Sequence, residues 1–137
     1  VGPVITIEEL RLKLVALGTL GTITVGYMPA SPDVIGTIYE YGGQEPQKRF
    51  GVIGIGYERP SIQVVFRGAP FDYTGPRTKA EIAWRYLAGI QPGPLGAGVT
   101  TEYLLVDPQQ SPFPMNSPDE LGRVKIVFNL HVMKDPS

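Results

Sequence analysis

The stretch Arg67–Leu87, RGAPFDYTGPRTKAEIAWRYL, joins two kinds of periodicity. Upstream, SIQVVFR (61–67) alternates, with Ile62, Val64 and Phe66 on one side and Gln63 and Arg67 on the other, as in a strand with one buried face. Downstream, Ala80, Ala83, Leu87 and Ile90 recur at helical steps with Trp84 beside them, and predict a helix over 76–90 ended by Gly89, Pro92 and Pro94. Pro76 suits the first helical position, where its missing N–H costs nothing. Strand, glycine turn and helix with basic residues at its start is also the order found in phosphate loops. Such a loop needs consecutive backbone N–H groups and a Lys followed by a hydroxyl. Here Pro76 follows Gly75, and Arg77-Thr78-Lys79 has the wrong order. The expectation is a strand-to-helix corner that holds no nucleotide.

Working outward, TIEELRLKLVALG (6–18) reads as a first helix. Thr6 and Glu9 have capping-box spacing, Ile7, Leu10, Leu14 and Leu17 form one apolar face, and Gly18 supplies a left-handed end. TITVGYM (22–28) and VIGTIYEY (34–41) read as strands, with the proline-rich PASPD between them as a turn. Residues 42–60 are rich in glycine and read as a long loop, or as a hairpin arm if FGVIGIGY pairs. TEYLLVD (101–107) reads as a strand, PQQSPFPMNSPDEL as a loop, and GRVKIVFNLHVM (122–133) as the strongest strand. In that strand Val124, Ile126, Phe128, Leu130 and Val132 share one face, and Arg123, Lys125, Asn129 and His131 the other. Separated helices and hairpins predict an α+β fold, a mostly antiparallel β-sheet packed on one face by two α-helices, with long Gly/Pro-rich loops. No linker or repeat divides the chain, so residues 1–137 are read as a single domain.

Composition narrows the function classes. A chain of 137 residues buries roughly two thirds of its unfolded surface and needs no disulfide or metal to fold. It has no cysteine, which excludes thiolate nucleophiles and Cys-ligated zinc. Net charge is −1, so no bulk attraction to nucleic acid or anionic membrane is expected. The apolar runs are short for a membrane span, and VGPVITIEEL does not read as a signal peptide. Gly (17) and Pro (14) fall between patterned segments, as in a sheet protein with ordered loops.

The search for chemistry yields little. Gly51, Gly54 and Gly56 do not have dinucleotide-loop spacing, and Pro60 and a strand follow them. His131 is the single histidine and reads as packed or interfacial. No serine sits in a nucleophile elbow, and Asp72 has no identifiable catalytic partner. Asp119 and Glu120 read as a turn-and-cap pair after Pro118. Lys48-Arg49 and Arg77/Lys79 are isolated basic pairs, not a stripe with interleaved aromatics. No cofactor, metal or specific nucleic-acid binding is expected.

These features in this order resemble the tail terminator proteins of long-tailed bacteriophages, often labelled minor capsid or head–tail joining proteins. The resemblance rests on TIEELRLKLVALG, VIGTIYEYGGQEP, ERPSIQVVFRGAPFDYTGPRTKAEIAWRYL, TEYLLVDPQQSPFPM and DELGRVKIVFNLHVMKD, and covers Thr6 to Lys134. In such proteins a Pro-led strand ends in Arg-Gly, a Tyr follows, and an Ala-rich helix packs on the sheet; here these are Pro60, Ile62–Phe66, Arg67-Gly68, Tyr73 and Ala80–Leu87. The Gly-rich 51–57 departs most from the pattern. The resemblance implies a non-enzymatic virion protein that assembles in the bacterial host cytoplasm. It forms a ring, usually of six copies, on the head-proximal end of the tail tube, with DNA passing through its lumen. Its implied partners are itself, the major tail tube protein and a head–tail connector or stopper. The rivals are a neighbouring neck protein, a small cytosolic α+β enzyme, and a sheet-based adaptor.

Arg77 and Lys79 stand at a helix start, where the macrodipole already supplies positive charge. With Arg67 they are expected to touch an adjacent copy or the tube, with Asp119 and Glu120 as acidic partners and Lys48 and Arg49 as further interface candidates.

Overall fold

A computed structural model describes residues 6–47, 57–90, 103–115 and 118–134. They form helices α1 (Thr6–Val15) and α2 (Thr74–Ala88) and strands β1 (Ile23–Val25), β2 (Ile35–Gln47), β3 (Tyr57–Pro70), β4 (Tyr103–Pro108), β5 (Phe113–Pro114) and β6 (Arg123–Lys134). The sheet order is β1-β2-β3-β6-β4, with β5 also beside β6. Among the described residues only the β1–β2 pair is parallel, so the architecture is α+β with a mostly antiparallel sheet.

One face of the sheet carries the core. Ile38, Ile62, Val64, Phe66, Val106, Ile126, Phe128, Leu130 and Val132 from the strands meet Leu10 and Leu14 from α1 and Ala80, Ala83 and Leu87 from α2 in one cluster. Register explains this: Ile38 stands opposite Val64, and Val64 opposite Phe128, so three strands stack their apolar sets on the same side. Leu17 and Val124 are partly buried at its margin.

Within the segment 42–60 the described residues pair, and of the FGVIGIGY stretch only Tyr57 lies among them. β2 continues to Gln47, opposite Tyr57 of β3, across irregularities at Glu40/Gly43 and Gln44/Gln47. Pairing of β3 on both sides, with β2 and β6, overrides the weak strand propensity of Gly42-Gly43 and Pro46, which fall near those register shifts. Residues 48–56, with Lys48, Arg49 and the glycines at 51, 54 and 56, lie outside the described residues.

The first two strands, read as joined by a turn at PASPD, form a parallel pair, Ile23 beside Gly36 and Val25 beside Ile38. Gly26, with φ +72°, ends β1 early, and residues 26–34 must carry the chain back along the sheet before β2 starts. Parallel strands ordinarily need a longer crossover, often a helix. This connection is short, so its carbonyls must find partners other than a helix ladder.

Other boundaries shift for local reasons. α1 stops at Val15, and the chain tightens through Leu17 N–H to Leu14 O (3.1 Å) and Gly18 N–H to Val15 O (3.0 Å) before Gly18 turns left-handed at φ +76°. The Thr6 side chain, half of the expected capping box, lies outside the described side chains. α2 starts at Thr74, so Pro76 is its third residue, still in the turn whose N–H groups need no helical partner. The loop after Asp107 continues along the β6 edge: Gln109 N–H donates to Asn129 O, Phe113 pairs Val127, and Met115 N–H donates to Lys125 O. Pro108, Pro112 and Pro114 fit such an edge because they have no N–H to offer a further strand.

Candidate functional site at the strand-to-helix corner

On the second face of the sheet, Thr37, Ser61, Val65, Arg67 and Val127 are buried. Over part of this face lies the return connection between β1 and β2. Arg67, only 4% exposed, donates from Nη2 to Pro29 O (2.8 Å), Pro32 O (2.8 Å) and Ala30 O (3.3 Å), and from Nε to Asp33 O (3.0 Å). Arg123, also buried, donates from Nη1 to Ala30 O (2.7 Å) and Asp33 Oδ1 (3.1 Å), and from Nε to Asp119 Oδ2 (2.8 Å). The Ala30 carbonyl is therefore shared by two guanidinium groups. The rigid five-donor fork of arginine suits this duty, and it supplies the partners that a short crossover lacks.

Two buried cations side by side are held by their acceptors. Burial, and then the Arg123 guanidinium, push the Arg67 pKa down, while Asp119 and Asp33 oppose that shift. Burial alone would lower the Arg123 pKa as well, but its bonds to Asp119 and Asp33 raise it above the ordinary value. Asp119 is held below the ordinary carboxylate range, first by the Arg123 backbone N–H and then by the Arg123 side chain and the Leu121 N–H.

Asp119 shapes the turn into β6. Its Oδ1 accepts from Leu121 N–H (3.0 Å) and Arg123 N–H (2.9 Å). Gly122 follows at φ +76°, and its carbonyl accepts the Phe71 N–H (2.8 Å). Across the same corner Asp72 Oδ1 accepts the Gly75 N–H (3.1 Å) and caps α2. That bond occupies an N–H a phosphate loop would need, and it gives Asp72 a structural part where sequence left it without a partner.

The expected interface residues thus separate. Arg67 is not at the surface: it braces the corner from inside, since its donors go to carbonyls of its own chain. Asp119 joins the same buried network through Arg123, whereas Glu120 is exposed. Arg77 and Arg85 flank Glu81, each 2.8 Å from one of its oxygens, so the charge at the start of α2 is partly compensated within the helix. Those bonds hold Glu81 below the ordinary carboxylate range, Arg77 contributing most. Lys79 is half-buried, its ammonium near Gly21. Lys48 and Arg49 lie outside the described residues.

Sequence reading missed Arg123 as the second brace, Asp33 as its acceptor, and Phe71, which projects from the corner at φ +62°. Arg123 had a weak signal, a cation at the mouth of an apolar strand two residues before Lys125. His131 pairs with Ser61 across β6 and β3, Oγ to Nδ1 3.0 Å. Among the described residues no group of His, Asp and Glu could hold a metal ion, and no helix is long and apolar enough to cross a membrane.

A family model described as bacteriophage tail terminator protein matches residues 11–132, most of the chain. No curated protein matches it.

Proposed function

Because the chain belongs to the bacteriophage tail terminator family, we propose that it forms a ring, of six copies in the usual arrangement, that caps the head-proximal end of the tail tube, stops tube growth and provides the surface that joins the head. The family is one of structural tail proteins, and the match over residues 11–132 is the observation that carries this reading. It favours a tail terminator over a neighbouring neck protein or a small enzyme. Partners in this reading are further copies of the chain, the major tail tube protein and a connector or stopper on the head side. Assembly takes place in the host cytoplasm, and the finished protein remains in the virion with DNA passing through the ring.

The corner supports a role in contacts. It is braced by buried arginines, so the charges it carries outward are held in fixed places. Arg77, Lys79 and Glu120 are its candidates for touching a neighbour, with Arg67 and Asp119 acting behind them. A head-to-tail contact repeated about an axis closes into a ring, and charge pairs across it fix register more than affinity.

The test is assembly of tails with the parent chain and with an Arg77→Glu/Lys79→Glu variant. The parent should give tails of uniform length that join filled heads. The variant should fold normally and give overlong tails or tails that fail to join. Uniform, joining tails in a reaction lacking the chain altogether would refute the terminator reading.

A further inference from the structure

Phe71 is 89% exposed, yet the fold holds it in a conformation that phenylalanine avoids. Its φ of +62° lies in the left-handed region, where a Cβ crowds the following carbonyl. The chain fixes it there from two sides. The Phe71 N–H is bonded to Gly122 O, and the ring edge lies over Gly122, where an added Cβ would stand 2.7 Å from Cε1. Gly122 is in turn fixed by the Asp119 turn, and that turn by Arg123 and the connection at 29–33. Almost none of this ring is buried by the chain itself, so the strain does not serve the core. Strained residues persist where the surroundings over-determine them, and they cluster at functional sites.

Tyr73 follows Phe71 two residues on, and across the bond from Phe71 to Gly122 the exposed Glu120 and Leu121 precede that glycine, while Asp33 is bonded to Arg123 of the same turn. α2 offers a surface of opposite character. Thr78, Ile82, Arg85 and Ala88 are exposed on its outer side; Arg85 is the cation among them, bonded to Glu81 on one side, while Arg77 bonds the same acid and Lys79 lies half-buried near Gly21. Ile82 lies about 12 Å along the helix from Thr74, beyond reach of the same copy's Phe71 at the corner. The two surfaces are unlike and separate, as a head-to-tail contact requires.

We infer that Phe71 is the preorganised anchor of the contact between copies, seated on the outer face of α2 of the next copy, with Ile82 beneath it and Arg85 facing Glu120. This rests on the ring reading above and names the residue that makes the ring. A rigid exposed aromatic loses little freedom on binding, which is why such residues dominate interface energetics.

The experiment measures melting and self-association of the full chain, parent and Phe71→Gly, with Phe71→Asn as the second variant because Asn tolerates φ > 0. Both variants should melt at or up to about 4 °C above the parent, since strain is relieved and no core is lost. Both should self-associate at least tenfold more weakly by sedimentation velocity. Glu120→Arg should weaken association as well, and Arg85→Glu should restore it. Variants that assemble like the parent would overturn the inference. So would variants whose rings are intact but no longer cap tubes, because the anchor would then face the tube. Variants that melt well below the parent would show that the ring serves the fold. A parent that neither self-associates nor caps tubes removes the ring reading itself; a parent that does both while Phe71→Gly matches it removes only this inference.

Discussion

Gly68 lies directly beneath Pro76: a Cβ at position 68 would stand 2.7 Å from Pro76 Cδ and 2.9 Å from the Asp72 carbonyl. The end of β3 and the first turn of α2 therefore touch with nothing between them. A rigid ring and a backbone carbonyl cannot move aside as a flexible side chain would. Gly68→Ala should cost about 2 kcal/mol, read as a lower urea midpoint with unchanged slope. A midpoint within error of the parent would mean that the corner is looser than its geometry.

Arg67 should be far more important to stability than to surface charge. Replacing it with Met keeps much of the apolar stem and leaves the carbonyls of Pro29, Pro32 and Asp33 without their donor. Each of these part-buried acceptors left alone costs about 1 kcal/mol or more, so Arg67→Met should lose roughly 3 kcal/mol or more. Arg77→Ala, at a partly exposed helix pair, should change the melting temperature little. Equal effects at the two positions would contradict the brace.

Acid should loosen the corner through Asp119. Its pKa is lowered on folding, so the stability it contributes is present above the unfolded-chain value and is lost as pH falls through the folded one. The loss belongs below about pH 4. The parent should become less stable over that window, and Asp119→Asn, already weaker at neutral pH, should show a shallower decline. Parallel decline of the two proteins in chemical denaturation would exclude Asp119 as a contributor.

Phe128 is fully buried opposite Val64 in the centre of the sheet. Phe128→Ala should cost about 3–5 kcal/mol, because the fixed strands around it cannot close the cavity. Val124, at the partly exposed margin of the same face, should cost clearly less when cut to Ala. Stability curves for the two variants give the comparison.

Much of the fold was legible in local pattern. Alternation at 61–67 and 122–133 named the strands that became β3 and β6, and the apolar stripes named the faces of both helices. Of the residues that make the core, Leu10, Leu14, Ile62, Val64, Phe66, Ala83, Leu87, Ile126, Phe128 and Leu130 could be read from spacing alone. The corner was legible as a passage from strand to helix, since β3 ends at Pro70 and α2 begins at Thr74, with Asp72 accepting the Gly75 N–H. The order of these features also sufficed to resemble the family that the chain joins.

The rest was decided at long range. Arg67 alternates onto the face opposite the core, and spacing cannot say whether that face meets water or another segment. Here it meets carbonyls 34 to 38 residues earlier in the chain, and Arg123 meets one 93 residues away. Backbone carbonyls are the same at every position, so their pairing with a guanidinium leaves no mark in the sequence. The parallel β1 depends on that bracing, and the length of the β2–β3 arm depends on ladder bonds to β6 that outweigh two glycines and a proline. Side-chain periodicity told which residues share a face; only the tertiary structure decided what covers that face, because covering it is the work of polar contacts between segments distant in the chain.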